Sequence, residues 1–174
     1  KSGIGQISSF DAEGFETTIA AEVKGFEPTD YVSRKDARRM DRFVQLAASA
    51  SMQAINDADL DLDRLDEERT SVIIASGIGG ISTLSAQYGV MSSKGPSRVS
   101  PFLIPMMLPD MASGQVSMLL GAKGPNYAPV SACSSGADAV GQAFRLIQRG
   151  TADIVFAGGA EAAICPIGVA GFNS

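Results

Sequence analysis

Histidine is absent from this sequence of 174 residues. A nucleophilic cysteine usually works with a base or a proton shuttle, and histidine is the side chain that most often supplies it. The chain therefore cannot complete such a site from its own residues. Both ends, Lys1–Gly5 and Gly171–Ser174, resemble the interior of a protein, so we expect a fragment of a longer one.

Cysteine, positive charge and long hydrophobic runs are also scarce. The two cysteines, Cys133 and Cys165, form no disulfide framework and are typical of a reducing, cytosolic compartment. The net charge of −5 argues against nucleic-acid binding. The longest apolar stretch, residues 102–120, is interrupted by prolines and by Asp110, which excludes a membrane span, and no signal peptide is visible. A hydrophobic content of 45% with 19% charged residues instead predicts one globular domain with a sizeable core.

Strands that alternate with helices are predicted along the chain, which is typical of an α/β fold with a largely parallel sheet. Apolar runs predict the strands, and helical spacing or capping residues predict the helices. A further short strand is expected within residues 17–23. The main strands are predicted at residues 72–75, 126–131 and 154–157, and the helices at residues 33–55, 81–90 and 110–121 and after residue 133, ending near Arg149.

The segment 131–136, Ser-Ala-Cys-Ser-Ser-Gly, contains the candidate nucleophile Cys133. It is predicted to end a strand and to open a helix. Free backbone N–H groups and the helix dipole at a helix start favour the thiolate, which is the form that attacks carbonyl groups. The pattern alone leaves a second interpretation open, a small buried hydrophobic cysteine. The apolar stripe of the helix is Val140, Ala143, Phe144 and Ile147.

Basic residues near the start of the first predicted helix form a positive patch in this acidic chain. Ser33 is predicted as the N-cap, with Asp36 three residues later. A solvated helix face is the commoner explanation of such a run, and a docking surface for an acidic partner is the alternative. Four residues fall at i, i+3, i+4 and i+7 and so share one face, namely Lys35, Arg38, Arg39 and Arg42.

A glycine-rich turn, Ser76–Gly80, follows the predicted strand at residues 72–75. The pattern of a dinucleotide-binding turn fails at Ser82, so we interpret the turn as close backbone packing beside a site. A calcium loop in the acidic segment 57–68 is also excluded, because Leu62 occupies the position that requires glycine.

Taken together, six motifs resemble those of the elongating 3-oxoacyl-[acyl-carrier-protein] synthases, the beta-ketoacyl synthases of type II that condense acyl chains in fatty-acid synthesis. Thiolases carry a similar cysteine motif, but the whole set occurs in the synthase order and spans most of the chain. The motifs are Ser33–Lys35 with Met40–Asp41, Ser76–Gly80, Ser100–Phe102, Gly124–Pro125, Ser131–Gly136 and Ala157–Glu161.

The resemblance implies a thiolase-like fold, in which residues 1–174 are the N-terminal half of a five-layered αβαβα architecture. It implies that this domain lacks the family's first strand and the C-terminal half, which supplies two histidines and a lysine. In the family, the cysteine that matches Cys133 accepts an acyl group from acyl carrier protein, and its N–H forms part of the oxyanion hole. Malonyl carrier protein is then decarboxylated, and the carbanion attacks the acyl-enzyme. No cofactor or metal is implied.

Further roles are implied position by position. Ile78 matches a gate residue of the acyl pocket, and Leu103 matches a residue that lines the pocket of the partner subunit. The predicted strand 126–131 matches the strand at the family's dimer interface, which implies a homodimer. The expected location of the protein is the cytoplasm. Cys165 is expected to be structural and Glu161 to anchor a loop. The positions that match the patch for docking acyl carrier protein are Lys35, Arg38, Arg39 and Arg98.

Two other functions remain open beside the condensing enzyme. A thiolase would act on coenzyme A esters, but the basic helix and the Gly-Ile-Gly-Gly turn favour the synthase. A subunit similar to a chain-length factor of a polyketide synthase would bind carrier protein without catalysis. The presence of Cys133 argues against that subunit, because such proteins tend to lack the nucleophile.

Overall fold

Two parallel strands form the centre of the fold in a computed structural model that describes residues 2–174. Strand β3 (Thr70–Ala75) pairs with strand β4 (Ile154–Gly159), with Thr70 opposite Ile154 and Ala75 opposite Gly159. Every residue of β3 is buried, as expected for a strand covered on both faces. The two predicted strands and their parallel direction are confirmed, and each is two residues longer than predicted.

Helices and a small hairpin surround this pair. The hairpin joins β1 (Ile4–Gln6) and β2 (Ile19–Ala21), and β2 confirms the strand expected within residues 17–23. None of the helices in residues 2–174 is long and apolar enough to cross a membrane. The helices are α1 (Arg34–Ala37), α2 (Arg42–Asp57), α3 (Ile81–Lys94), α4 (Leu103–Met107), α5 (Met111–Leu120), α6 (Ser135–Gln148) and α7 (Pro166–Asn173).

Alternate side chains of β3 enter two apolar clusters on opposite faces. Val72 and Ile74 pack with residues of α2 and α5, including Phe43 and Val116. Ile73 and Ala75 pack on the other face against Ala139 and Ala143 of α6. The strands therefore lie between helices, and their carboxyl ends open at one edge of the fold.

The first predicted helix is wrong as one continuous element. Its N-cap is confirmed, because the Ser33 hydroxyl accepts the Asp36 N–H at 3.1 Å. However, α1 ends at Ala37, and Asp41 begins α2 by accepting the Phe43 N–H at 3.3 Å. Because of this break, the helical spacing that placed Arg42 on the basic face does not apply. Arg42 lies over the Phe26 ring instead, at 4.4 Å from its centre.

The predicted strand 126–131 is also wrong beyond its first residue. Asn126 forms an isolated parallel bridge with Val72, and the residues after it are irregular. The reason is the buried Ser113 hydroxyl, which accepts the Ile74 N–H at 2.6 Å and donates to the Tyr127 carbonyl at 3.0 Å. The hydroxyl thus lies between β3 and residue 127, where a direct backbone hydrogen bond would join two paired strands. Pro129 has no N–H to continue the pairing.

Helix α6 is confirmed, but its large apolar residues do not face the core. Ala139 and Ala143 are buried against β3 and β4. Val140, Phe144 and Ile147 are 54%, 66% and 45% exposed. The small side chains allow α6 to approach the sheet closely. Of the stripe predicted from spacing, Ala143 faces the core and the three large residues face outward.

Candidate active site

A cleft of about 450 Å³ opens at the carboxyl ends of β3 and β4. In α/β folds, ligands bind at this edge of the sheet, where loops after neighbouring strands meet. The cleft brings together Cys133, Ile78 and Glu161, which come from three segments far apart in sequence. The remaining lining residues are Ala75, Ser76, Gly77, Ala132, Ser135, Gly136, Gly159, Ala160 and Phe172.

Cys133 is exposed and lies in a short 3-10 turn, Ala132–Ser134, directly before α6. The prediction of a helix start is confirmed, whereas the strand before the cysteine is replaced by irregular chain. Ala132 has φ of +53°, a conformation that non-glycine residues adopt rarely and that marks strain at functional turns. The buried Ser135 hydroxyl holds the turn, because it donates to the Ala132 carbonyl at 2.7 Å and accepts the Ser131 N–H at 3.0 Å.

The backbone around the thiol suits a reaction in which a carbonyl oxygen becomes negative. Within residues 2–174, the Cys133 N–H makes no hydrogen bond to another residue. It lies just before the first turn of α6, where the helix dipole favours negative charge. A substrate carbonyl at the thiol would therefore meet an available N–H donor.

Glycines at two contacts allow the elements of the cleft to approach each other. A Cβ on Gly159 would lie 2.9 Å from the Cα of Gly136, so α6 begins directly against the end of β4. Gly79, with φ of +72°, lies against the Met107 carbonyl oxygen, which would be 2.6 Å from a Cβ at this position. A Cβ on Gly80 would likewise lie 2.2 Å from the Met106 carbonyl oxygen. The prediction that this turn serves close backbone packing is confirmed.

Ile78 lies at the rim of the cleft and is 39% exposed. Its turn is held on one side by α4 and on the other by the Glu161 carboxylate, which accepts the Gly77 N–H at 2.9 Å and the Ile78 N–H at 3.1 Å. Glu161 thus anchors the loop, as the sequence led us to expect. The position of Ile78 beside Cys133 is compatible with a gate, which stays a prediction.

Leu103 lies at the start of α4 and does not line this cleft. Its predicted place in the pocket of a partner subunit stays a prediction. The neighbouring Phe102 contacts Arg39, one of the basic residues predicted to bind carrier protein, whose guanidinium lies 4.8 Å from the centre of the Phe102 ring. The buried Cys165 lies at the N-cap of α7 and does not line the cleft, which is compatible with the structural role expected for it.

All four residues predicted to bind carrier protein are exposed. None of the four forms an ion pair within the described chain, so their charges are available to a partner. They are Lys35 on α1, Arg38 and Arg39 after it, and Arg98 in the turn before α4.

Sequence reasoning missed two residues of the cleft. Ser135 belongs to the cysteine motif, and its hydroxyl type was a usable signal for a turn-holding role. Phe172 reaches the cleft from α7, and no local pattern predicted that contact. Across residues 2–174 there is also no cluster of three or more potential metal ligands.

Comparisons with known proteins agree with this geometry. Residues 1–174 match the family described as "Beta-ketoacyl synthase, N-terminal domain". The chain is 49% identical over 174 residues to "3-oxoacyl-[acyl-carrier-protein] synthase 2" of Synechocystis, covering 100% of this chain and 42% of that protein. It is 47% identical over 172 residues to the protein of the same name from Staphylococcus aureus, covering 99% and 43%.

The fold comparison points the same way. The solved structure titled "The ishigamide ketosynthase/chain length factor" matches with a TM-score of 0.88 at 29% identity, over 99% of this chain and 43% of that chain. This match confirms the predicted thiolase-like α/β fold. The chain spans less than half the length of the curated relatives it matches. It belongs to the beta-ketoacyl synthase family and carries that family's N-terminal domain.

Proposed function

We propose that this chain is the nucleophile-bearing part of a condensing enzyme of fatty-acid biosynthesis. The observation that carries the proposal is the exposed Cys133 thiol before α6, in a cleft at the carboxyl ends of two parallel strands. The names of the curated relatives support an acyl chain carried on acyl carrier protein as the substrate.

The first half-reaction transfers the acyl group. The Cys133 thiolate attacks the carbonyl carbon of an acyl-carrier-protein thioester, and the Cys133 N–H stabilises the negative oxygen of the tetrahedral intermediate. The intermediate collapses, the new bond to Sγ remains, and the carrier protein leaves as a thiolate that takes up a proton.

The second half-reaction forms the carbon–carbon bond. Malonyl carrier protein loses carbon dioxide, and the resulting carbanion attacks the acyl carbonyl on Cys133. The bond to Sγ then breaks and regenerates the thiolate. This chain has no histidine, the usual side chain for such proton transfers, so we expect the groups that assist decarboxylation from outside residues 1–174. We propose that a C-terminal half supplies them, and that the family's first strand also lies outside this chain.

The partner surfaces are part of the same proposal. Lys35, Arg38, Arg39 and Arg98 would dock acyl carrier protein through their unpaired charges. The protein would be a cytoplasmic homodimer that pairs along residues 126–131. Leu103 would then line the pocket of the partner subunit.

A condensation assay on the protein in its full natural length tests the proposal. We expect product from acyl and malonyl carrier protein, little from the coenzyme A esters, and none from Cys133→Ala. Full activity of Cys133→Ala would contradict the proposal. A preference for coenzyme A esters would favour a thiolase, and carrier-protein binding without acylation would favour a non-catalytic subunit.

A further inference from the structure

Glu161 connects the ends of the two central strands beside the thiol. It follows β4, and its carboxylate accepts hydrogen bonds from three successive residues that follow β3. One oxygen, Oε2, accepts the Gly77 N–H at 2.9 Å and the Ile78 N–H at 3.1 Å. The other, Oε1, accepts the Ser76 hydroxyl at 3.2 Å.

These bonds give Glu161 a structural role in the turn. Both carboxylate oxygens are occupied by donors of the turn, and no lysine or arginine of the described chain forms an ion pair with Glu161. Hydrogen bonds to a charged acceptor are about twice as strong as neutral ones. The arrangement therefore holds a backbone turn in place.

The other bonds of the turn do not reach Gly77 or Ile78. The Ser76 hydroxyl accepts the Gly79 N–H at 2.9 Å, and the Gly80 N–H donates to the Met107 carbonyl at 3.0 Å. Loss of the Glu161 carboxylate would free the N–H groups of the two residues at the rim of the cleft. The far end of the turn would remain attached to α4.

We infer that Glu161 is a positioning residue that fixes Ile78 relative to Cys133 and thereby sets which acyl chains reach the thiol. The consequence for acyl selectivity rests on the proposed function. The positioning itself does not, because it follows from the hydrogen bonds alone.

Amide hydrogen exchange tests the positioning directly. In Glu161→Ala, exchange at Gly77 and Ile78 should accelerate about tenfold, because both amides lose a charged acceptor. Glu161→Gln keeps a neutral acceptor of the same size and should show a smaller increase in exchange. If the alanine variant does not fold, the glutamine variant still tests the inference. Glu27→Gln is a matched control, since Glu27 also accepts a backbone N–H and a hydroxyl, both from Thr29, and does not line the Cys133 cleft. Unchanged exchange at both amides in the Glu161 variants would overturn the inference.

Acylation of Cys133 tests the consequence for selectivity in the full-length protein. The ratio of kcat/KM for long and short acyl carrier proteins should change about tenfold in Glu161→Ala. The rate of alkylation by iodoacetamide should stay within about twofold, because a small reagent does not depend on the gate. A uniform loss with every substrate would indicate a merely structural role and overturn the selectivity claim. Absence of any acyl adduct on the unsubstituted protein would instead contradict the proposed function, and the exchange result would still decide the positioning.

Discussion

The buried Asp41 carboxylate binds Thr83 through two hydrogen bonds, accepting its hydroxyl at 2.5 Å and its N–H at 3.0 Å. The same side chain caps α2 by accepting the Phe43 N–H. Because Thr83 lies in the first turn of α3, Asp41 connects the start of α2 with the helix that follows the Ser76–Gly80 turn. This contact fixes the break between α1 and α2 that sequence spacing did not reveal.

Replacing Asp41 should therefore cost more than an ordinary helix cap. We expect Asp41→Ala to lower the free energy of unfolding by about 2–4 kcal/mol, because it removes a cap and leaves the Thr83 donors unpaired. Asp41→Asn keeps an acceptor and should cost less. Urea denaturation of both variants measures the difference. Equal stability of Asp41→Ala and the unsubstituted protein would show that the contact to Thr83 contributes nothing.

Two fully buried serines should respond in opposite ways to alanine. Ser113→Ala removes the acceptor of the buried Ile74 N–H, so we expect a loss of about 1–3 kcal/mol in the free energy of unfolding. Ser71 is equally buried, but its hydroxyl has no partner within residues 2–174, so Ser71→Ala should be neutral or slightly stabilising. Urea denaturation under one set of conditions compares them, and equal losses would contradict the assignment.

Glu22 should make stability depend on acid pH. Hydrogen bonds from the side chain of Ser8, then from Ser9 and the backbone of both residues, lower the pKa of the Glu22 carboxyl from 4.5 to about 2. The folded protein therefore binds this proton less readily than the unfolded chain, so the contribution is fully present above pH 4.5 and is lost as the pH falls towards 2. The difference in free energy of unfolding between the unsubstituted protein and Glu22→Gln should therefore become smaller as the pH falls from 4.5 towards 2. A gap that does not change with pH would contradict this account.

The basic patch should control the encounter with carrier protein. We expect Lys35→Glu combined with Arg38→Glu to raise KM for carrier-protein substrates and to flatten its salt dependence, because steering by exposed charges is screened by salt. A control with the same charge change, Arg64→Glu with Arg149→Glu, alters exposed residues outside the patch and should leave KM unchanged. Equal effects of the two double variants would indicate a general effect of net charge.

Local signals predicted the parts of the fold that depend on neighbouring residues. The β3 and β4 runs and the Ser33 cap were readable because each depends on residues close in sequence. Residues 126–131 failed as a strand because Ser113, from a different element, takes the hydrogen bond of Ile74. No pattern within the segment itself reveals such a contact.

The site was predictable to a similar extent. The cysteine motif and the resemblance predicted roles for Cys133 and Ile78. Both residues line the cleft, and their roles stay predictions. The glycines indicated close packing. The surfaces against which the turn packs, the Met106 and Met107 carbonyls, depend on tertiary structure and were not predictable. The positive φ of Ala132 likewise follows from how Ser135 holds the turn, which only the folded chain reveals.

The central claim is that Cys133 accepts an acyl group from acyl carrier protein. The most direct measurement is the intact mass of the full-length protein after mixing with medium-chain acyl carrier protein, with the adduct located by peptide mapping. We predict one acyl group on Cys133, none on the buried Cys165, and none in Cys133→Ala. An unchanged mass, or an acyl group that persists in Cys133→Ala, would contradict the account.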